Sequence, residues 1–172
     1  MSESESASST LIRQALIAES YAIASILRVA FVEYQPLYTP SAFAVTTPTS
    51  DQIQARWNEG PVWVAVQNEK LLGTVAAVSK TLGLYIRSMA VLPAARGQGI
   101  GLELLQHIES FAVANDYKRL FLGTTPFLTS AIHLYESFGF QRNDDGPLDL
   151  YGTPLFTMVK QLKSNEVMEP NE

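Results

Sequence analysis

The segment from Met89 to Leu102 holds the residue types best suited to bind phosphate. Three glycines, Gly97, Gly99 and Gly101, alternate with Gln98 and Ile100 just as a helical apolar pattern begins. A helix start leaves its first N–H groups without partners and carries the positive end of the helix dipole. Anions bind there, and glycine lets the backbone approach them with no Cβ in the way. Arg96 adds a guanidinium for a charge-assisted contact. The loop therefore reads as a pyrophosphate site. Spacing excludes two common phosphate loops. A Walker loop ends in Gly-Lys-Ser/Thr, where this chain has Gly101, Leu102 and Glu103. A dinucleotide fingerprint runs G-x-G-x-x-G and closes the next strand with a carboxylate. Here the glycines run G-x-G-x-G, and the next strand, Tyr117 to Gly123, leads into Thr124 and Thr125.

A second set of chemically capable residues lies further on. Ala131, Leu134, Tyr135 and Phe138 recur at helical spacing. Thr125 suits the N-cap of that helix, with Pro126 at its first position. Gly139 suits a left-handed cap at its end, with Phe140 folding back. Tyr135 is the phenol of this face. It either packs with its hydroxyl hydrogen-bonded or donates a proton to a leaving group in a neighbouring cleft. His133 falls on the solvent side.

The framework that must hold these residues follows from the remaining pattern. Thr10 to Ile17 reads as a first strand. Ser20 precedes a helical face of Ile23, Ile26, Leu27, Ala30, Phe31 and Tyr34, which Pro36 stops. Leu37 to Pro48 reads as an aromatic, proline-containing ordered loop. Thr49 and Gln52 form a capping-box pair for a short helix that ends at Gly60 and Pro61. Strands follow at Val62 to Gln67 and Leu71 to Ser79, joined by a turn at Asn68 to Lys70, and a third runs from Leu84 to Leu92. Alternation along that third strand puts Tyr85, Arg87 and Met89 on one face. Gln98 to Asn115 is helical, Tyr117 to Gly123 a strand, and short strands are expected near Phe140 to Arg142 and at Leu155 to Leu162. Asp144, Asp145 and Asp149 read as a solvated loop. The order β-α-α-β-β-β-α-β-α-β-β makes an α/β fold: a mixed, mostly antiparallel sheet of about seven strands with helices on both faces.

The chain of 172 residues suffices for one domain, expected at 11–162, with polar tails at 1–10 and 163–172. Its net charge of −5 repels phosphate backbones, so nucleic acid is not an expected partner. The absence of cysteine excludes disulfides and a thiolate nucleophile. Two histidines without HExxH spacing give no basis for a metal site. No apolar run is long enough to span a bilayer, and the first ten residues, without a basic or apolar stretch, are not expected to be a signal peptide. The expectation is a cytoplasmic protein with no membrane partner. A homodimer is compatible with the sequence.

The two motifs together resemble the GNAT N-acetyltransferases. Arg96-x-x-Gly99-x-Gly101 after Val91-x-Pro93 is similar to that family's acetyl-CoA motif, and Ala131 to Phe140 is similar to its A-x-x-L-Y-x-x-x-G-F helix. The resemblance implies an acetyl-CoA-dependent acyltransferase acting on an amine acceptor, with no metal. It implies that Met89, Ala90 and Val91 pair through their backbone with the pantetheine arm. It implies that the backbone from Arg96 through Gly97, Gln98, Gly99, Ile100 and Gly101 to Leu102 holds the pyrophosphate. Tyr135 matches the tyrosine that protonates the departing thiolate. Leu128 stands where many members have asparagine, so Thr125 or Thr129 is expected to make that pantetheine contact. Glu33, Tyr34, Tyr38, Phe43, Tyr85 and Arg87 are expected on the acceptor side. Glu33 or a water relay serves as base. A non-catalytic acyl-CoA sensor with the same fold is the alternative.

Overall fold

The computed structural model describes residues 9–143 and 148–163. Asp144, Asp145 and the outer parts of the expected tails lie outside the described residues. Hairpins build the first half of the sheet. β1 (Leu11–Gln14) pairs antiparallel with β2 (Val62–Gln67), β2 with β3 (Lys70–Lys80), and β3 with β4 (Gly83–Val91). Asn68 and Glu69, with φ of 50° and 63°, make the tight left-handed turn between β2 and β3. The second half is reached by a crossover. α4 (Ile100–Ala114) carries the chain back so that β5 (Arg119–Thr124) lies parallel to β4. After α5 (Thr129–Ser137), β8 (Thr153–Gln161) adds antiparallel to β5 and pairs in turn with β6 (Gln141–Arg142) and β7 (Leu148–Leu150). The order across the sheet is β1-β2-β3-β4-β5-β8-β6. This is the mixed, mostly antiparallel architecture expected.

Each face of the sheet has its own core. Trp63, Val75, Leu84, Ile86, Leu120 and Leu122 meet Leu104, Leu105 and Ile108 of α4 and Tyr135 of α5. On the other face Val64 and Ala90 meet Ile23 and Leu27 of α1 (Ser20–Phe31) and Ile53 of α3 (Ser50–Ala55). A smaller cluster of Tyr38, Ala42 and Phe43 packs with Phe31, Tyr34, Phe127 and Leu150. No described helix is long and apolar enough to cross a membrane.

Four local expectations are corrected. The first strand stops at Gln14 because Glu19 reaches back to the Leu16 amide and pairs with Arg13, both at 2.8 Å, which turns Ile17–Glu19 into a 3-10 helix. The expected loop at 37–48 contains α2 (Pro40–Thr46). Thr39 caps it, accepting from the Ala42 amide at 3.2 Å, and Pro40 occupies the first turn. α5 begins at Thr129 and not after Thr125, because Thr125 turns its side chain into the interior and 125–128 closes as a turn. Asp149 belongs to β7, where its carboxylate accepts from the Gly152 amide at 3.0 Å and shapes the turn into β8.

Candidate active site

β4 parts from β5 near the middle of the sheet. The two strands are in register only at Leu84–Leu120 and Tyr85–Phe121. On its other edge β4 stays paired to β3 as far as Val91. The Leu92 amide donates to the Leu72 carbonyl at 2.8 Å. The two-residue repeat of an antiparallel ladder then commits the backbone of Ala90 to Thr74 and turns those of Met89 and Val91 toward the gap. A free strand edge of this kind is a template for an extended, amide-bearing ligand.

A β-bulge lies immediately upstream. Thr74 pairs with Ala90 but Ala76 pairs with Arg87, so Ser88 and Met89 together oppose Val75, and Ser88 has φ of 53°. The extra residue reverses the alternation. Leu84, Ile86 and Met89 all face α4 and α5, while Tyr85 and Arg87 lie on the opposite face. The expectation that Tyr85, Arg87 and Met89 share a face is overturned by this bulge.

The glycine loop is shaped for the other end of the same ligand. Gly97 and Gly99 hold φ of 83° and 77°, and a Cβ at either would meet no heavy atom within 4 Å. Their open side is space for a ligand. Gly99 is the N-cap of α4 and supplies no side-chain acceptor, and the first helical bond runs from the Glu103 amide to the Gly99 carbonyl at 3.0 Å. The amides of Ile100, Gly101 and Leu102 are thus left without helical partners, as an anion site requires. Gly101 has a different reason to be glycine. A Cβ there would come within 2.9 Å of Leu134 Cδ2, so its absence lets α4 close on α5.

Between these parts runs a cleft of about 470 Å³. Of the residues singled out from the sequence, Met89, Ala90, Val91, Arg96, Gly97, Gly99, Ile100, Gly101, Leu102, Tyr34 and Tyr135 line it. Sequence reasoning missed Ala30, Phe31, Ala95 and Ser130, which also line it. Ser130 stands directly before the motif residue Ala131, and that adjacency was its only signal. Leu128 is on the wall, whereas Thr125 and the exposed Gln98 are not.

Tyr135 is nearly buried at the inner wall. Burial, and then the neighbouring Tyr38, push its pKa up to about 12. It is therefore a protonated donor throughout the neutral range. Burial also raises Tyr38, offset in part by the nearby hydroxyls of Thr125 and Thr46. Thr125 Oγ1 nonetheless has no well-aligned hydrogen-bond partner, so the Tyr38–Thr125 approach is a weak contact. Tyr38 and Phe43 are core residues, and Tyr34 stacks on Phe127 at 6.2 Å between ring centres. Glu33 is not on the cleft wall. It pairs with Arg96 at 2.7 Å, and Arg96 also reaches the Ala30 carbonyl at 3.4 Å. Both side chains of that pair are more than two-fifths exposed, so it links the end of α1 to the glycine loop only loosely. Tyr85 packs on Phe121 at 5.1 Å and is raised by burial, and Arg87 pairs with Glu59 at 2.6 Å.

Known proteins resemble the chain in sequence and in fold. The Acetyltransferase (GNAT) family profile matches residues 26–140. The N-acetylaspartate synthetase of Danio rerio is 40% identical over 82 residues, which are 46% of this chain and 29% of that protein. The chain thus spans less than a third of that relative's length. The "Uncharacterized N-acetyltransferase YjgM" of Escherichia coli (strain K12) is 28% identical over 142 residues, covering 79% of this chain and 84% of that one. The PaiA N-acetyltransferase of Thermoplasma acidophilum, solved with coenzyme A, shares the fold with a TM-score of 0.75 at 16% identity, over 90% of this chain and 99% of that one. With a family match across more than half of its residues, on a sheet split beside an uncapped helix start, the chain belongs to the GNAT acetyltransferase family.

Proposed function

We infer that residues 11–162 form an acetyl-CoA-dependent N-acetyltransferase that acetylates a primary amine by direct attack on the thioester. One observation carries this reading: the free edge of β4 at Met89 and Val91 and the uncapped start of α4 open into a single cleft. The strand edge suits the amides of pantetheine, and the helix start suits the diphosphate. Coenzyme A in the Thermoplasma neighbour supports the same ligand here.

In this reading the two ends of the ligand fix the thioester beside the bulge. A backbone N–H on the free edge near Val91 faces the carbonyl and stabilises the oxyanion that forms when a neutral amine attacks. Tyr135, protonated and on the inner wall, hydrogen-bonds the departing sulfur. Glu33 points to Arg96 and off the wall, which favours a water relay as the route for the amine's proton. Isothermal titration against CoA, NAD and ATP, followed by thiol release with an amine library, tests the proposal. Binding should be selective for CoA. Selective binding with no thioester consumption would leave only a sensor, and no CoA binding by the folded chain would remove the reading.

A further inference from the structure

Two arginines converge beside the bulge, on the face of the sheet away from the Met89 side chain. Arg56, at the end of α3, donates to Ser88 Oγ at 3.2 Å. Arg87 donates through Nη2 to Glu59 at 2.6 Å, yet its Nε is buried and has no hydrogen-bond partner. Among the described residues no carboxylate lies within ion-pair distance of Arg56. Burial, and then the charge of Arg87, lower the pKa of Arg56, and Glu59 offsets this only in part. Arg56, Arg87 and Ser88 contribute to the lining of a cavity of about 20 Å³, space for one water-sized group. A chain with a net charge of −5 thus gathers two cations against one carboxylate and leaves a buried donor unfilled. An anion relieves all three conditions at once: the repulsion, the excess charge and the empty donor.

The position tells which anion. Ser88, which Arg56 holds, directly precedes Met89, whose backbone faces the gap where the thioester is expected. One residue of strand is about 3.3 Å, close to the reach from the amine of an α-amino acid to its carboxylate. Backbone groups lie in the plane of the sheet and are approachable from either face. We propose that Arg56 and Arg87 form a subsite for the acceptor's carboxylate, which makes free α-amino acids the acceptor class. The proposal rests on the N-acetyltransferase reading above.

The test compares kcat/KM for a panel of free α-amino acids with that for the corresponding α-carboxamides, with acetyl-CoA and the full chain. The acid of the best pair should be preferred on the order of 10- to 100-fold, the range of a charge-assisted contact. In Arg56→Gln and in Arg87→Gln that ratio should fall toward one, through KM. Glu59→Gln removes the internal competitor for Arg87 and should lower KM for the acid, a change opposite to that expected of a damaged fold. Titration of the N-acetylated form of each panel amino acid into CoA-loaded protein reads the subsite without turnover. Binding there that is lost in Arg56→Gln supports the subsite even if no amine is acetylated, in which case only the transfer reading fails. Equal kcat/KM for acid and carboxamide in the unaltered protein, as when water alone fills the cavity, overturns the proposal. So does an unchanged ratio in both arginine variants.

Discussion

Tyr135→Phe is the most informative single change. Phenylalanine keeps the packing against Phe140, whose ring centre lies 5.9 Å away, and removes only the hydroxyl. The size of the effect follows from the environment. Tyr135 has a pKa pushed up to about 12, while a thiol such as cysteine's titrates near 8.5. Complete proton transfer from the phenol to the thiolate is then uphill by about 3.5 units, or roughly 5 kcal/mol. In the proposed mechanism Tyr135 is therefore a hydrogen-bond donor to the leaving sulfur while the proton itself arrives from solvent. A hydrogen bond to a charged partner contributes about 1.5–3 kcal/mol, so kcat for the chemical step should fall about 10- to 150-fold. Single-turnover rates of thiol release, with acetyl-CoA saturating, isolate that step from product release. CoA affinity and melting temperature should persist. An unchanged single-turnover rate would make Tyr135 a packing residue. A loss beyond about 10⁴-fold, the upper range of general acid catalysis, would show that the burial argument is wrong and that the proton does pass from the phenol.

Further outcomes follow from other parts of the structure. Gly99→Ala places a Cβ on a residue at φ of 77°, facing ligand space, and a left-handed alanine costs about 1–2 kcal/mol. CoA affinity by titration should drop at least about tenfold with a smaller loss of stability; unaltered affinity would remove the loop from the diphosphate site. Phe43→Ala opens a hole in the third cluster and should destabilise by about 3–5 kcal/mol in urea melts while CoA binding at low temperature survives. Tyr135 titrates in the folded state above its ordinary value of 10, so its contribution is whole below about pH 10 and is lost as pH rises toward 12, roughly 3 kcal/mol in all. Burial moves Tyr38 and Tyr85 the same way, and Tyr135→Phe should flatten the alkaline fall in urea midpoint. An equally steep fall in that variant would assign the alkaline loss to other groups.

The glycine loop, the α5 face and the order of strands were legible because each rests on a local pattern: alternation, helical spacing, or glycine where φ is positive. α2 was not, since seven residues starting with proline show too little periodicity to separate a helix from a loop. Thr125 carries a sound capping signal, but a buried place beneath Tyr38 overrides it. The faces of β4 were misjudged for a related reason. Alternation assumes an unbroken ladder, and nothing in the residues around Ser88 announces a bulge, which arises only from the register against β3. The pairing of Arg56 with Ser88 spans 32 residues and was equally invisible.

Ser88 works as a phase shift in the two-beat rhythm of β4. Before it, Tyr85 and Arg87 look out over one side of the sheet; after it, the Met89 side chain joins the core on the other. One uninterrupted strand is thereby divided into two halves that mutation can reach separately. Substitutions at 85 or 87 change what the far face presents and leave the edge at 89 and 91 untouched. Deleting Ser88 would set Met89 alone opposite Val75 and leave every remaining side chain on its present face, removing only the bulge and the hydroxyl that Arg56 holds. One further residue paired into the ladder there would instead carry the Met89 and Val91 side chains to the face of Arg87, so the strand has room to shorten at that point and none to lengthen.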